Sequence, residues 1–119
     1  MKFQSFYLTI FFSIHIILSP TIEAYTTDTF LDMYLCRCRI WVEDSNHNRI
    51  AGDGPGHYHD CDGDTGNGEQ ILNFANVTFW VHAKVQGSLE KKKVRGPFNT
   101  KCFDIYGRVG DWKFDETSC

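Results

Sequence analysis

The chain has 119 residues, five cysteines and a net charge of −3 at pH 7. This length suits one small domain rather than two, and a nearly balanced charge gives no general attraction to DNA. The charge is nevertheless uneven along the chain. There is no Lys or Arg between Arg49 and Lys84, a range with five acidic residues, and a basic segment follows at 91–95.

Residues 1–24 have the layout of a secretory signal peptide. An apolar run at 6–18 follows a positive charge, Pro20 interrupts it, and Ala24 offers a small residue for cleavage. The run is too short for a membrane-spanning helix. We therefore expect a cleaved leader and a secreted domain at 25–119 that does not insert into a membrane.

The first strong structural signal lies at 34–43, after an extended lead-in at 25–33. Alternation of apolar and polar residues over ten positions predicts a half-buried strand. Its predicted inward side chains are Tyr34, Cys36, Cys38, Ile40 and Val42. The segment 51–68, rich in Gly and Asp, predicts a long loop held by Cys61.

Further strands are predicted in the second half of the chain. Residues 69–75 fit either a short helix or the start of a strand, and 77–86 alternate clearly. Gly87-Ser88 favours a hairpin turn that returns through 89–95, and 101–107 predict another short strand. Trp112 and Phe114 are expected to return to the core. The fold class is therefore mainly β, or α+β, in one small domain stabilised by disulfides.

The cysteine count is odd, so at most two bridges form within one chain. The fifth thiol stays free or joins two chains into a dimer. Sequence alone does not decide which cysteines pair. The candidates are Cys36, Cys38, Cys61, Cys102 and Cys119.

Acidic residues in the loop resemble the start of a calcium-binding loop. An EF-hand counted from the first of them would need glycine at Thr65 and glutamate at Ile71, so the match is incomplete. The weak metal candidates are Asp60, Asp62, Asp64 and Glu69. Zinc binding by His57, His59 and Cys61 is a further alternative, but secretion favours a disulfide at Cys61. We expect no cofactor.

No catalytic set stands out. His57, His59 and His82 with Glu69 or Asp104 could form the acid–base pair of a small ribonuclease, but nothing in the sequence fixes their geometry. We assign no catalytic residue.

The basic residues and two tryptophans predict a binding surface instead. Trp41 and Trp80 fall at outward positions of the two clear strands, where aromatic and basic residues suit a protein partner or single-stranded nucleic acid. The other candidates are Arg37, Arg39, His82, Lys84, Lys91, Lys92, Lys93 and Arg95. Asn76-Val-Thr78 is an N-glycosylation sequon.

These features together resemble small secreted cysteine-containing effector proteins of plant-pathogenic fungi. The shared features are the leader, the mature length, Leu35-Cys-Arg-Cys38, a Gly/Asp/Asn-rich middle with Cys61, and a C-terminal pattern Cys…Gly…Phe-x-x-x-Cys. In this chain the pattern is formed by Cys102, Gly110, Phe114 and Cys119, with four residues rather than three between Phe114 and Cys119. Many such effectors have a Cys-Cys pair in the middle, whereas this chain has only Cys61.

The resemblance implies virulence through binding of a host protein, usually without enzymatic activity, in the apoplast or after uptake into host cells. Tyr34-x-Cys36 also resembles the start of ribonuclease-like mildew effectors, which pair that cysteine with one near the C-terminus. We accordingly expect a bridge from Cys36 or Cys38 to Cys119, and a second from Cys61 to Cys102. The alternatives are a secreted ribonuclease-like or RNA-binding protein and an extracellular calcium-binding module.

Overall fold

The computed structural model describes residues 24–64, 68–97 and 101–119. The predicted signal peptide therefore lies, except for Ala24, outside the described residues. Within them the chain forms nine strands and no helix, which confirms a mainly β fold and excludes the α+β alternative for the described part. The strands are β1 (Ala24–Met33), β2 (Arg37–Asp44), β3 (Arg49–Gly52), β4 (His59–Asp60), β5 (Glu69–Ala75), β6 (Phe79–Val85), β7 (Lys93–Arg95), β8 (Cys102–Arg108) and β9 (Asp111–Thr117).

The strands form two sheets that enclose one core. Sheet A has the order β5-β1-β8-β9, and sheet B has the order β3-β2-β6-β7, with β4 paired to β2. Alternate residues of the strands point into the core, as the pleat of a β-strand requires. The largest buried side chains include Trp112, Phe103, Phe114, Leu31, Ile40 and Ile105.

The segment expected to be an extended lead-in is β1, the longest of these strands. It pairs antiparallel with β5 and parallel with β8, so it lies inside sheet A. Its inward residues include Thr27 and Thr29, each 1% exposed, followed by Leu31 and Met33. Threonine fits a strand well because it is β-branched, but a run of threonines does not look apolar in sequence.

The strand predicted at 34–43 is β2, and it begins three residues later than expected. Leu35 has a φ of +51°, a left-handed conformation that breaks the strand. The Asp62 carboxylate accepts a hydrogen bond from the Leu35 amide at 2.5 Å and holds this turn. Tyr34 and Leu35 are therefore exposed, and the predicted inward position of Tyr34 is wrong.

The bridges are Cys38–Cys61 and Cys102–Cys119, so the predicted pairing of Cys36 or Cys38 with Cys119, and of Cys61 with Cys102, is wrong. The reason is the register of the sheets. Cys102 lies opposite Thr117 in the β8–β9 hairpin, next to the chain end, whereas Cys38 lies opposite His59, close to Cys61. Each bridge thus closes a short loop within one sheet, a constraint worth about 3 kcal/mol.

Cys36 is the unpaired cysteine. Its thiol is buried and donates a hydrogen bond to the Tyr34 carbonyl at 3.0 Å. Burial raises the pKa of this thiol, which makes it less reactive. A disulfide to a second chain through Cys36 would require this segment to open.

Candidate functional site

The outward side of sheet B gathers most of the predicted binding residues. We call this surface the outer face of sheet B. The register of β2 with β6 sets three cross-strand pairs on it, which are Arg39 with Lys84, Trp41 with His82, and Glu43 with Trp80. The alternation of both strands predicts this placement, but the exposure of the side chains differs from the prediction.

Trp41 is a packing residue of this face rather than an exposed anchor, because only 6% of its surface is accessible. The Arg39 guanidinium lies 3.9 Å from the centre of the indole ring. The His82 ring stacks at 5.1 Å with an angle of 21°, and the Lys92 ammonium lies 5.9 Å away. Such cation–π and stacking contacts fix the indole. The prediction that Trp41 projects freely into solvent is therefore wrong.

The Glu43 carboxylate lies at the centre of the polar groups. It accepts a hydrogen bond from the Trp41 indole N–H at 2.6 Å. Its two oxygens lie 3.4 Å from His82 Nε2 and 3.9 Å from His47 Nδ1. One carboxylate therefore fixes the Trp41 indole and lies close to both histidine rings.

The surroundings of His82 favour its neutral form. Burial lowers its pKa and outweighs the nearby charge of Glu43, which acts in the opposite direction. Its Nδ1 is buried and has no hydrogen-bond partner among the described residues. A neutral imidazole with the proton on Nε2 suits this environment, because that proton is on the side of the Glu43 carboxylate, 3.4 Å away, and Nδ1 then carries no buried N–H without a partner.

A shallow pocket of about 300 Å³ opens beside this cluster. Asp44 Oδ1 accepts hydrogen bonds from the amides of Asn46 and Asn48, and this turn presents His47 at a φ of +64° on one side of the pocket. Trp80 and Val94 supply apolar surface. The pocket is lined by Glu43, Asp44, His47, Trp80, His82, Lys92 and Val94.

Lys93 and Arg95 of the predicted basic segment point away from the outer face of sheet B. The Lys93 ammonium donates to the Trp112 carbonyl at 2.5 Å and lies 4.6 Å from that indole ring, and it pairs with Glu90 at 3.3 Å. Arg95 lies 3.6 Å from Asp115. Both side chains tie β7 to sheet A and do not contribute to the outer face of sheet B.

Two other predicted binding residues are engaged by nearby loops. The Lys84 ammonium donates to the carbonyls of Ser88 and Glu90, so it stabilises the turn after β6. The Arg37 guanidinium donates to the Tyr58 carbonyl at 2.8 Å. The exposed basic residues of the segment 91–95 are Lys91 and Lys92.

The four predicted calcium ligands do not assemble. Asp62 is 5% exposed, and its second oxygen accepts a hydrogen bond from the Asp64 amide at 2.8 Å. Asp60 in turn accepts one from the Asp62 amide at 2.9 Å. Glu69 begins β5 in sheet A. The loop carboxylates therefore organise their own backbone.

The histidines proposed for catalysis are also apart. His59 Nε2 lies 2.9 Å from Asp53 Oδ2, and this hydrogen bond is the main cause of its raised pKa. His57 is exposed in the preceding loop. His59 belongs to sheet B, whereas Glu69 and Asp104 belong to sheet A, so the structure does not bring the members of this candidate set together.

Sequence reasoning missed a cluster of carboxylates on the outward side of sheet A. Burial and a hydrogen bond with Asp32 raise the pKa of Asp104 to about 7, and burial and a hydrogen bond with Glu69 raise that of Asp28 to about 6. The alternation of Asp28, Phe30 and Asp32 would have revealed the cluster had β1 been recognised as a strand. Its members are Asp28, Asp32, Glu69, Asp104 and Asp115.

Asn76 lies exposed in the connection between β5 and β6, and so do the other two residues of the sequon. Glycosylation there remains a prediction, and the exposure is what an acceptor site needs.

No known protein family, curated protein or solved structure matches this chain. Among the described residues, no helix has the length and apolar character needed to cross a membrane.

Proposed function

We propose that this chain is a secreted, effector-like virulence protein that binds a host protein without catalysing a reaction. The observation that carries the proposal is the pocket of about 300 Å³ in the outer face of sheet B, with Trp80 on its wall. Tryptophan and arginine dominate the energetics of protein interfaces. The two disulfides are compatible with an extracellular protein.

The contacts around the pocket favour binding because they are formed before a partner arrives. Arg39 and His82 both lie against the Trp41 ring, and Glu43 accepts a hydrogen bond from its indole N–H. A surface that is already ordered loses less conformational entropy on association. Trp80 is only partly buried, so its indole can still gain contacts with a partner.

Affinity capture with paired variants tests the proposal. Tagged mature protein, Trp80→Ala and the control Tyr106→Ala are expressed in plant tissue, after melting curves show that each variant folds. Tyr106 is an exposed aromatic residue in sheet A, away from the pocket. Loss of a hot-spot tryptophan should weaken the captured partner's binding by about 2 kcal/mol, roughly thirtyfold. Equal capture by Trp80→Ala and wild type would contradict the proposal.

A secreted ribonuclease-like or RNA-binding protein is a second candidate, and one observation favours it. Glu43 lies between His82 and His47, and Lys92 lines the same pocket. A carboxylate and an imidazole form a common acid–base pair, and a lysine attracts phosphate. Cleavage of single-stranded RNA that is lost in both Glu43→Gln and His47→Ala, with unchanged melting curves, would support it. Absence of cleavage and RNA binding by the wild type would exclude it.

A further inference from the structure

The surroundings of the Cys38–Cys61 bridge contain a third metal-binding side chain. Cys38 on β2 lies directly opposite His59 on β4, and Cys61 follows shortly after. His59 Nδ1 is 3.6 Å from Cys61 Sγ. The ligand atoms of these residues all lie within 4.8 Å of one another, and no other such group of three occurs in 24–64, 68–97 and 101–119.

The distances match those of a zinc site once the bridge is open. With Zn–S bonds of about 2.3 Å and Zn–N bonds of about 2.0–2.1 Å, tetrahedral geometry places sulfur and nitrogen about 3.6 Å apart. Cys61 Sγ and His59 Nδ1 already have this separation. Two thiolates on one zinc lie about 3.8 Å apart by the same geometry, which reduced cysteine side chains reach by small rotations.

The second ring nitrogen of His59 is held as in established zinc sites. Nε2 lies 2.9 Å from Asp53 Oδ2, and this oxygen also accepts hydrogen bonds from the Ile40 amide at 2.9 Å and the Gln70 amide group at 3.0 Å. A zinc-binding histidine almost always donates its other N–H to a carboxylate or carbonyl in this way. With the proton on Nε2, Nδ1 keeps a lone pair 3.6 Å from Cys61 Sγ, and its other neighbour is the Asp60 carbonyl at 3.3 Å.

We propose that reduction of the Cys38–Cys61 bridge converts this group into a zinc site, with Cys38, Cys61 and His59 as ligands and a water molecule in the fourth position. A small thiol such as glutathione supplies the two electrons and two protons, and two molecules of it become a disulfide. Zinc then displaces the two thiol protons to solvent and binds both thiolates. Cys38 and Cys61 are fully buried, so the thiol and the metal reach the sulfur atoms when the loop after β4 opens locally. The His59 side chain beside them is 34% exposed.

With this site, the loop after β4 would stay fixed to β2 in both an oxidising and a reducing compartment. In an oxidising environment the disulfide joins β2 to the loop after β4. In the reducing interior of a cell zinc would replace it, because a metal that binds the folded form stabilises that form.

Metal titration of the mature protein tests this inference. The protein is reduced with a phosphine, which contributes no thiol, and titrated with Zn²⁺ and with Co²⁺ as a spectroscopic probe. We expect one equivalent bound, with thiolate-to-cobalt charge-transfer absorption, and no such binding by the oxidised protein. His59→Ala should lower the affinity at least tenfold, and Asp53→Asn by about 10–100-fold. The controls His57→Ala and the double variant Cys102→Ser/Cys119→Ser should bind as the wild type does.

Circular dichroism shows whether the bound metal supports the native fold. If the reduced, metal-free chain unfolds, zinc should restore the β spectrum, and if it stays folded, zinc should raise its melting temperature. Equal affinity of the wild type and His59→Ala would overturn the inference. So would binding that depends on Cys102 and Cys119, or zinc that neither restores nor stabilises the fold.

Discussion

Replacement of Asp104 by asparagine should stabilise the protein at alkaline pH. Asp104 lies between Phe30 of β1 and Asp115 of β9 on the outward side of sheet A. Burial and a hydrogen bond with Asp32 raise its pKa from 3.8 to about 7, and the charges of Asp32 and Asp115 act in the same direction. The folded protein therefore retains a proton on Asp104 that the unfolded chain releases at a lower pH.

The direction of the pH effect follows from this difference in proton binding. Below about pH 4, Asp104 is protonated in both the folded and the unfolded state, so it adds no pH dependence to the free energy of unfolding. Between about pH 4 and 7 the folded state binds more protons than the unfolded state. The free energy of unfolding therefore falls as the pH rises through this window and stays low above it. A pKa of about 7 in place of 3.8 corresponds to about 4 kcal/mol for a fully buried group. Because Asp104 is only partly buried, solvent screening reduces this to about 1–2 kcal/mol.

An asparagine at this position donates a hydrogen bond to the Asp32 carboxylate without taking up a proton. Asp104→Asn should therefore raise the free energy of unfolding at pH 8 by about 1–2 kcal/mol, or several degrees in melting temperature, and change little at pH 4. Urea denaturation with intact disulfides, from pH 4 to pH 8, measures both values. Asp111→Asn is the control, since this side chain is 86% exposed. A loss of stability at pH 8, or an equal gain at both pH values, would refute the reasoning.

Four further outcomes follow from the described contacts. Trp41→Ala should lower the free energy of unfolding by about 3 kcal/mol and Trp80→Ala by less than about 1 kcal/mol; equal losses in urea denaturation would show that Trp41 is not a packing residue. The thiol of Cys36 should react slowly with an aromatic disulfide reagent in the native protein and rapidly in urea, so fast native reaction would contradict its burial. Secretion from a eukaryotic host should add a glycan that Asn76→Gln removes, and unchanged electrophoretic mobility would speak against it. The intact mass of the secreted protein should correspond to a chain that begins at or near Tyr25, and retention of the leader would contradict cleavage.

Period-two patterns predicted the parts of the fold whose two faces differ clearly in polarity. The inward residues Ile40 and Val42 of β2 and Val81 and Val85 of β6 are fully buried, as expected. The same patterns also predicted that the residues of the outer face of sheet B lie together on one side of that sheet. Trp112 also packs in the core, as its position after a turn indicated.

Features that depend on pairing between distant segments were not predictable in the same way. The parallel pairing of β1 with β8 has no local signal, and the disulfides follow from sheet register, which sequence spacing does not reveal. The burial of Trp41 has a similar cause, since Arg39 from its own strand and His82 from the neighbouring strand cover it. An outward position on a strand does not imply solvent exposure when long side chains fold over it.

The position of β1 also bears on the order in which the chain can fold. This strand is synthesised before both of its neighbours, yet residue 28 pairs with residue 71 on one side and residue 102 on the other. Pairings between such distant segments form slowly, because the loop between them must close first. Until β5 has been synthesised, β1 has neither of its neighbours, and sheet A is complete only when nearly the whole domain is available. A chain that stops before β8 would leave one edge of β1 unpaired, and an unpaired strand edge readily pairs with another chain.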